Sequence, residues 1–238
     1  MLDFFKLKKI KSSPEALREG RLPEGEDLSL DQAHYAVLDT ELTGLDKKKD
    51  TIISFGAVKM VGGSIKLGES YYRLVKPGSK MNHQSVVVHE ITPSEVDQKP
   101  SIKTVLPEFI SYCGTDILVG HFLSIDLHFI NREMKRILKA SLNNPVLDTR
   151  KIVEWLRWNS QSSSSDPLLA KDFELYEIAR AQGIPVQGAH NALMDAFMTA
   201  QVFQRLIPQL FKAGIKTLGE ALKIGNPYKK SLLNGHSI

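Results

Sequence analysis

Apolar positions first crowd together in HYAVLD, His34 to Asp39, a run with strand character that breaks off at DTELTGLDKKKD, where polar residues, Gly44 and a lysine cluster signal a loop. TIISFGAVKMV and SIKLGESYYRLVK alternate on either side of Gly62 and Gly63, which reads as two strands meeting at a two-residue hairpin. After Pro100 the period changes. SIKTVLPEFISYC has helical spacing, DILVGH is a short buried strand, and Ser124 through Leu138 returns to helical periodicity. PVLDTRKIVEWLRW predicts a strand running into a helix, and NSQSSSSDP a mobile, serine-rich surface loop. Phe173 to Gln182 predicts a helix stopped by Gly183, and Ala192 to Leu206 an amphipathic helix ending near Pro208.

Three hairpin-linked strands followed by strand-helix alternation predict an α/β fold: a mixed β-sheet flanked by helices, rather than a TIM barrel or an all-parallel sheet. No internal repeat suggests a solenoid or propeller. The 238 residues suit one core, divided as an N-terminal extension (1–32), a central domain (33–208) and a C-terminal helix and tail (209–238) that can dock or dangle.

Composition changes this picture little. Apolar residues at 42% and charged residues at 24% are ordinary for a folded domain and exclude a disordered chain. The net charge of +4 is compatible with a polyanionic partner and equally common in proteins without one. A single cysteine, Cys113, excludes an intramolecular disulfide and a multi-thiolate zinc site, and reads as a small buried side chain. Met1 to Lys11 carries two phenylalanines and four lysines but no apolar run long enough for a signal peptide or a membrane span. A cytoplasmic protein is expected, its first residues either a short basic amphipathic helix or a solvated extension.

The candidate chemistry lies in acids at element ends. Asp39 and Glu41 are one residue apart at the end of a buried strand, so period-two geometry sends both carboxylates to one side. Crowded carboxylates raise each other's pKa unless a divalent cation offsets the repulsion, and oxygen ligands of this kind suit Mg²⁺ or Mn²⁺. A solvated acid pair in an ordinary loop satisfies the same D-x-E pattern. Asp126, near the start of a helix in GHFLSIDLHFI, is a third acid for the same sheet edge or a plain helix-capping residue. In HNALMDA, His190 lies just ahead of a helix and Asp195 in its second turn; the pair fits a proton acceptor and a cation ligand, or a surface histidine beside a solvated acid.

Taken together, DTELTGL, GHFLSIDLHFI and HNALMD, in this order and on these strand ends and helix starts, resemble the three motifs of the DEDDh family of 3′→5′ exonucleases over roughly Ala33 to Leu206, with VHEIT similar to the family's connecting segment. The resemblance implies a ribonuclease H-like fold, two divalent cations, Mg²⁺ or Mn²⁺, held by Asp39, Glu41, Asp126 and Asp195, and His190 as the general base. It implies hydrolysis that releases nucleoside 5′-monophosphates from the 3′ end of single-stranded DNA. Thr40, Leu42 and Leu45 would border the terminal nucleotide, with core packing the plainer role for the two leucines. One departure stands out: the family commonly has asparagine after Gly-His, and here Phe122 removes a polar group and offers an aromatic face to substrate, or simply packs. Lys47, Lys48 and Lys49 beside the first motif can attract a phosphate backbone or merely be solvated. The motifs do not choose between DNA and RNA, so an RNA-trimming enzyme and a catalytically silent nucleic-acid-binding module stay open, and a polymerase partner is neither required nor excluded.

Overall fold

The computed structural model describes residues 28–79, 81, 83–160 and 169–229. The basic segment Met1 to Lys11 and most of the serine-rich stretch, from Gln161 on, lie outside the described residues.

Five strands form one mixed sheet. β1 (His34–Leu42), β2 (Ile52–Val61) and β3 (Ser64–Leu74) run as an antiparallel meander, and β4 (Ile117–Gly120) and β5 (Val146–Asp148) extend it in parallel beyond β1, giving the order β3-β2-β1-β4-β5. Gly62 makes the β2–β3 turn at φ +52°, a conformation that costs glycine no steric penalty. β1 runs three residues beyond the expected break at Asp39, because Thr40 and Glu41 still pair with Phe55 and Ser54 of β2 before the register shifts at Leu42. The polar side chains of DTEL signal a loop, but the ladder is made by the backbone.

β1 alternates between two cores. Ala36 and Leu38 pack with α3 (Ile102–Cys113) and α4 (Ser124–Leu138); Tyr35 and Val37 pack on the opposite face with α5 (Thr149–Ser160), α6 (Leu175–Ala181), α7 (Ala192–Lys212) and α8 (Leu218–Ile224). Two short helices, α1 (His83–His89) and α2 (Pro93–Asp97), precede α3. Cys113 is buried in the first of these cores, where burial pushes its thiol up to about 12. Leu30 on one side of the central domain, and Leu218, Ala221 and Leu222 on the other, are buried in the second core, so α8 docks rather than dangles.

α7 continues through Pro208 to Lys212, past the expected stop. Proline removes one helical hydrogen bond, but Leu210, two residues on, is fully buried, and that packing holds the last turn. At the other end Asn191 caps the helix: its side-chain oxygen accepts from Leu193 N (3.1 Å) and Met194 N (3.3 Å). Asp195 therefore falls in the first turn, not the second, and its carboxylate is not needed as a cap.

Candidate active site

The two-sided packing of β1 assembles the acids. Asp39 and Glu41 continue the parity of Tyr35 and Val37 and so point toward α7, which carries Asp195. One carboxylate oxygen from each of Asp39, Glu41 and Asp195 lies within 4.8 Å of the others. Thr40, of opposite parity, faces α4, and its hydroxyl donates to Asp126 Oδ1 at 2.6 Å. Asp126 also stands in the first turn of α4 and accepts from its own backbone N–H, so the helix-start role and the contact with Thr40 coexist. The backbone N–H of Leu123, ahead of α4, is taken by Asp148 Oδ2 at 3.0 Å, a buried acid that the sequence reading passed over.

Buried like charges have a visible cost here. Burial, then Asp126, Glu41 and Asp195, hold Asp39 well above the usual carboxylate range. Burial followed by repulsion from Asp195 and Asp126 pushes Glu41 up to about 8. Asp126 is pushed up to about 7 by burial, even with the Thr40 hydroxyl favouring its ionised form. Asp195 is raised by burial against the hydrogen bonds it accepts, and its Oδ1 is buried with no hydrogen-bond partner among the described residues. An orphaned carboxylate oxygen beside two other carboxylates fits a hard divalent cation, which takes oxygen ligands and offsets the repulsion.

His190 reaches the cluster through a strained turn. Gly188 (φ +61°) and His190 (φ +62°) both occupy the left-handed region, unusual for a histidine. The turn aims the His190 backbone N–H at Asp195 Oδ2 (3.0 Å) and at the Tyr176 hydroxyl oxygen (2.9 Å). Tyr176, from α6, donates its own proton to Asp195 Oδ2 at 2.8 Å and stands 3.3 Å from His190 Nδ1. With the phenol proton committed to the carboxylate, the tautomer that bonds here carries hydrogen on Nδ1 and leaves the Nε2 lone pair free. Burial, then the Asp195 charge, drives the phenol's own pKa upward, so it stays a donor. Nothing in LYEIARA singled out Tyr176, whose spacing reads as ordinary helix packing.

A pocket of about 480 Å³ opens over Asp39, Glu41 and Asp126 and is also bordered by Thr40, Leu42, Leu45 and Phe122. Leu45 is 71% exposed and free to meet a ligand, whereas Leu42 is buried in the α3–α4 core and takes the packing role. Phe122 does both: it lines the pocket, at φ +54°, and its ring lies 4.6 Å from the Arg150 guanidinium, itself tied to Glu154 at 2.9 Å. His121 is structural, its ring bonded to Thr149 Oγ1 (2.9 Å) and the Phe173 carbonyl (2.8 Å); burial lowers it to about 4. His89, in the VHEIT segment, also lines the pocket. Its Nδ1 accepts from Ile91 N at 3.1 Å, which leaves a buried Nε2 without a partner among the described residues.

Residues 36–203 match the family model described as exonuclease, RNase_T. The chain belongs to this exonuclease family, and its mixed sheet with flanking helices is the ribonuclease H-like fold of those enzymes. It is 35% identical over 207 residues to the DNA polymerase III subunit epsilon of Aquifex aeolicus, a match that covers 87% of this chain and 93% of the relative. It is 33% identical over 199 residues to the PolC-type DNA polymerase III of Thermotoga maritima, covering 84% of this chain but only 14% of that much longer protein. The fold is similar to Escherichia coli exonuclease I in complex with a dT13 oligonucleotide (TM-score 0.66, 18% identity, 77% of this chain and 43% of that one). It is also similar to exonuclease X in complex with 5′-overhanging duplex DNA (TM-score 0.56, 22% identity, 81% and 98%). Among the described residues no helix is long and apolar enough to cross a membrane.

Proposed function

We infer that the protein is a metal-dependent 3′→5′ exonuclease that releases nucleoside 5′-monophosphates from single-stranded DNA, acting in the cytoplasm in proofreading or repair. The observation that carries this reading is the convergence of Asp39, Glu41 and Asp195 within 4.8 Å, in a chain of the exonuclease family. Relatives named as DNA polymerase III subunit epsilon and PolC-type DNA polymerase III support DNA as the substrate and allow for a polymerase partner.

Asp39, Glu41 and Asp195 would hold one Mg²⁺ or Mn²⁺, and Asp126 with Asp39 a second. Bound there, the cations supply Lewis acidity that favours water deprotonation and stabilises charge on the leaving oxygen. The chain's own residues do the rest. His190 Nε2 accepts a proton from the attacking water, its ring held by the Tyr176 hydroxyl at Nδ1. As the new P–O bond forms, the bond from phosphorus to the 3′ oxygen breaks; that oxygen takes up a proton and leaves as a shortened strand with a free 3′ hydroxyl. Thr40 holds Asp126 in place, and Leu45 and Phe122 offer apolar surface to the terminal nucleotide.

The test follows a 5′-labelled single-stranded DNA oligomer with Mg²⁺ or Mn²⁺, beside EDTA, the His190→Ala variant and an RNA oligomer of matching sequence. The expected result is a ladder shortening from the 3′ end, abolished by EDTA and slowed roughly 10²- to 10⁴-fold in the variant, the usual worth of a general base. Faster shortening of the RNA would reassign the substrate. Intact oligomers throughout, from folded protein, would overturn the reading.

A further inference from the structure

A second cleft, of about 400 Å³, lies on the far side of the loop that follows β1. Gly44 and Leu45 of that loop line the acidic pocket, while Lys48 and Lys49 line the second cleft. α4 spans the same two places: Asp126 borders the first, and Arg132 and Arg136 the second. Lys76 completes the basic wall, and Glu133 is the one acid in the lining. Glu133 is buried and clamped between Arg132 (3.2 Å) and Arg136 (2.6 Å), so it fixes both guanidinium groups rather than repelling a ligand. The other nearby acids are Asp97, 3.0 Å from Lys76, Asp46, 3.8 Å from Lys49, and Asp50, whose carboxylate is turned into the loop on Thr43 and Asp46 N; the five cations of the lining still outnumber these three and Glu133.

The loop is held in place. Asp50 ties it through Thr43 Oγ1 (2.8 Å) and Asp46 N (2.7 Å), and Arg132 bonds the carbonyls of Lys47 (2.9 Å) and Asp50 (2.6 Å). The lysines are therefore presented from a fixed backbone instead of a free tail. A preorganised, solvent-open row of cations suits a polyanion whose charges repeat, and phosphate contacts of this kind position a strand without reading its sequence.

We propose that this cleft binds the phosphate backbone of the substrate strand a few nucleotides upstream of the one removed. The spacing follows from the helix: Asp126 to Arg136 is about 15 Å at 1.5 Å per residue, which a strand stacked at the duplex rise of about 3.4 Å spans in about four nucleotides and an extended single strand in fewer. The assignment rests on the exonuclease reading for which end of the strand lies at the acids, not for the binding itself.

Two measurements on the full chain separate these points. Anisotropy of labelled thymidylate oligomers of two to eight nucleotides, in EDTA and over a range of salt, reads binding alone; hydrolysis with Mg²⁺ reads the acidic site. Wild-type affinity should rise at least 10-fold between the dimer and the hexamer. The triple variant Lys48→Gln, Lys49→Gln, Arg136→Gln should lose most of that gain and flatten the salt slope by about 2, at about 0.7 per phosphate contact for single strands. Its dimer hydrolysis should match wild type. A control with the same net charge, Lys135→Gln, Lys139→Gln, Lys212→Gln, changes exposed lysines outside the cleft lining and should keep the gain. Hexamer affinity and salt slope that are unchanged in the cleft variant, or equally reduced in the control, would overturn the proposal. Absence of hydrolysis with the binding pattern intact would sink the exonuclease reading and leave the cleft standing.

Discussion

Replacing Glu41 by glutamine should stabilise the metal-free protein while destroying its function. In the folded chain the Glu41 carboxyl titrates at about 8 against an ordinary 4.5, because of burial first and then the Asp195 and Asp126 charges. A raised carboxylate pKa means the folded state holds the proton more tightly than the unfolded chain. The associated stability is fully present below about 4.5 and is lost as pH rises through about 8. At 1.36 kcal/mol per pKa unit the difference corresponds to about 5 kcal/mol. Partial exposure of Glu41 and relaxation of its neighbours reduce what a substitution recovers to about 1–3 kcal/mol. For a chain of this size that is roughly 3–10 °C in melting temperature. The assay is thermal unfolding of wild type and Glu41→Gln in EDTA at pH 9 and pH 5, then at pH 9 with Mg²⁺. The variant should melt higher at pH 9 in EDTA, the gap should nearly close at pH 5, and Mg²⁺ should reverse the order, since a ligand for the folded state stabilises whichever protein binds it more tightly. A variant melting at or below wild type at pH 9 in EDTA would refute the claim that the half-buried Glu41 charge, beside its fellow acids, destabilises the metal-free fold.

Two further substitutions probe how the site is held. Tyr176→Phe removes the hydroxyl that donates to Asp195 and faces His190 Nδ1; kcat should fall about 10- to 100-fold, the usual cost of losing a group that orients a ligand or base, with KM for a short oligomer little changed. Wild-type kcat in this variant would remove Tyr176 from the mechanism. Gly56 pairs with Asp39 across the β1–β2 ladder, and a Cβ there would stand 2.1 Å from the backbone of Ala192, the first residue of α7. Gly56→Ala should therefore cost about 1–3 kcal/mol by overpacking and carry Asp195 away from Asp39, so a melting curve and a turnover rate that both match wild type would show that α7 does not depend on this close approach.

Much of the site was legible in the sequence because each acid sits where a simple periodicity ends. Asp39 and Glu41 inherit the parity of the apolar run before them, and Asp126 and Asp195 each fall within the first turn of an amphipathic helix, so predicting the elements came close to predicting where these carboxylates lie. The same reasoning ended β1 too soon and stopped α7 at Pro208, since local polarity and a missing N–H were weighed where ladder pairing and the burial of Leu210 decide. Gly56 carried a readable signal, a glycine inside a strand pattern, which often marks a close backbone approach. What it makes room for was not readable.

Tyr176 is the clearest case of information absent from local pattern. Its place in LYEIARA is that of any half-buried aromatic beside Leu175, Ile178 and Ala179. It becomes part of the site only because α6 ends at Ala181, the chain turns back through left-handed residues at Gly183, Gly188 and His190, and α7 begins with Asp195 one turn in. The left-handed conformation is locally costly for His190, and the hydrogen bonds from the His190 N–H and the Tyr176 hydroxyl to a single carboxylate oxygen offset the cost. The orientation of the histidine is thus bought by long-range packing of α6 against α7. For that reason Tyr176→Phe should loosen the 188–191 turn as well as slow turnover, a change that amide hydrogen exchange at His190 can register without any substrate present.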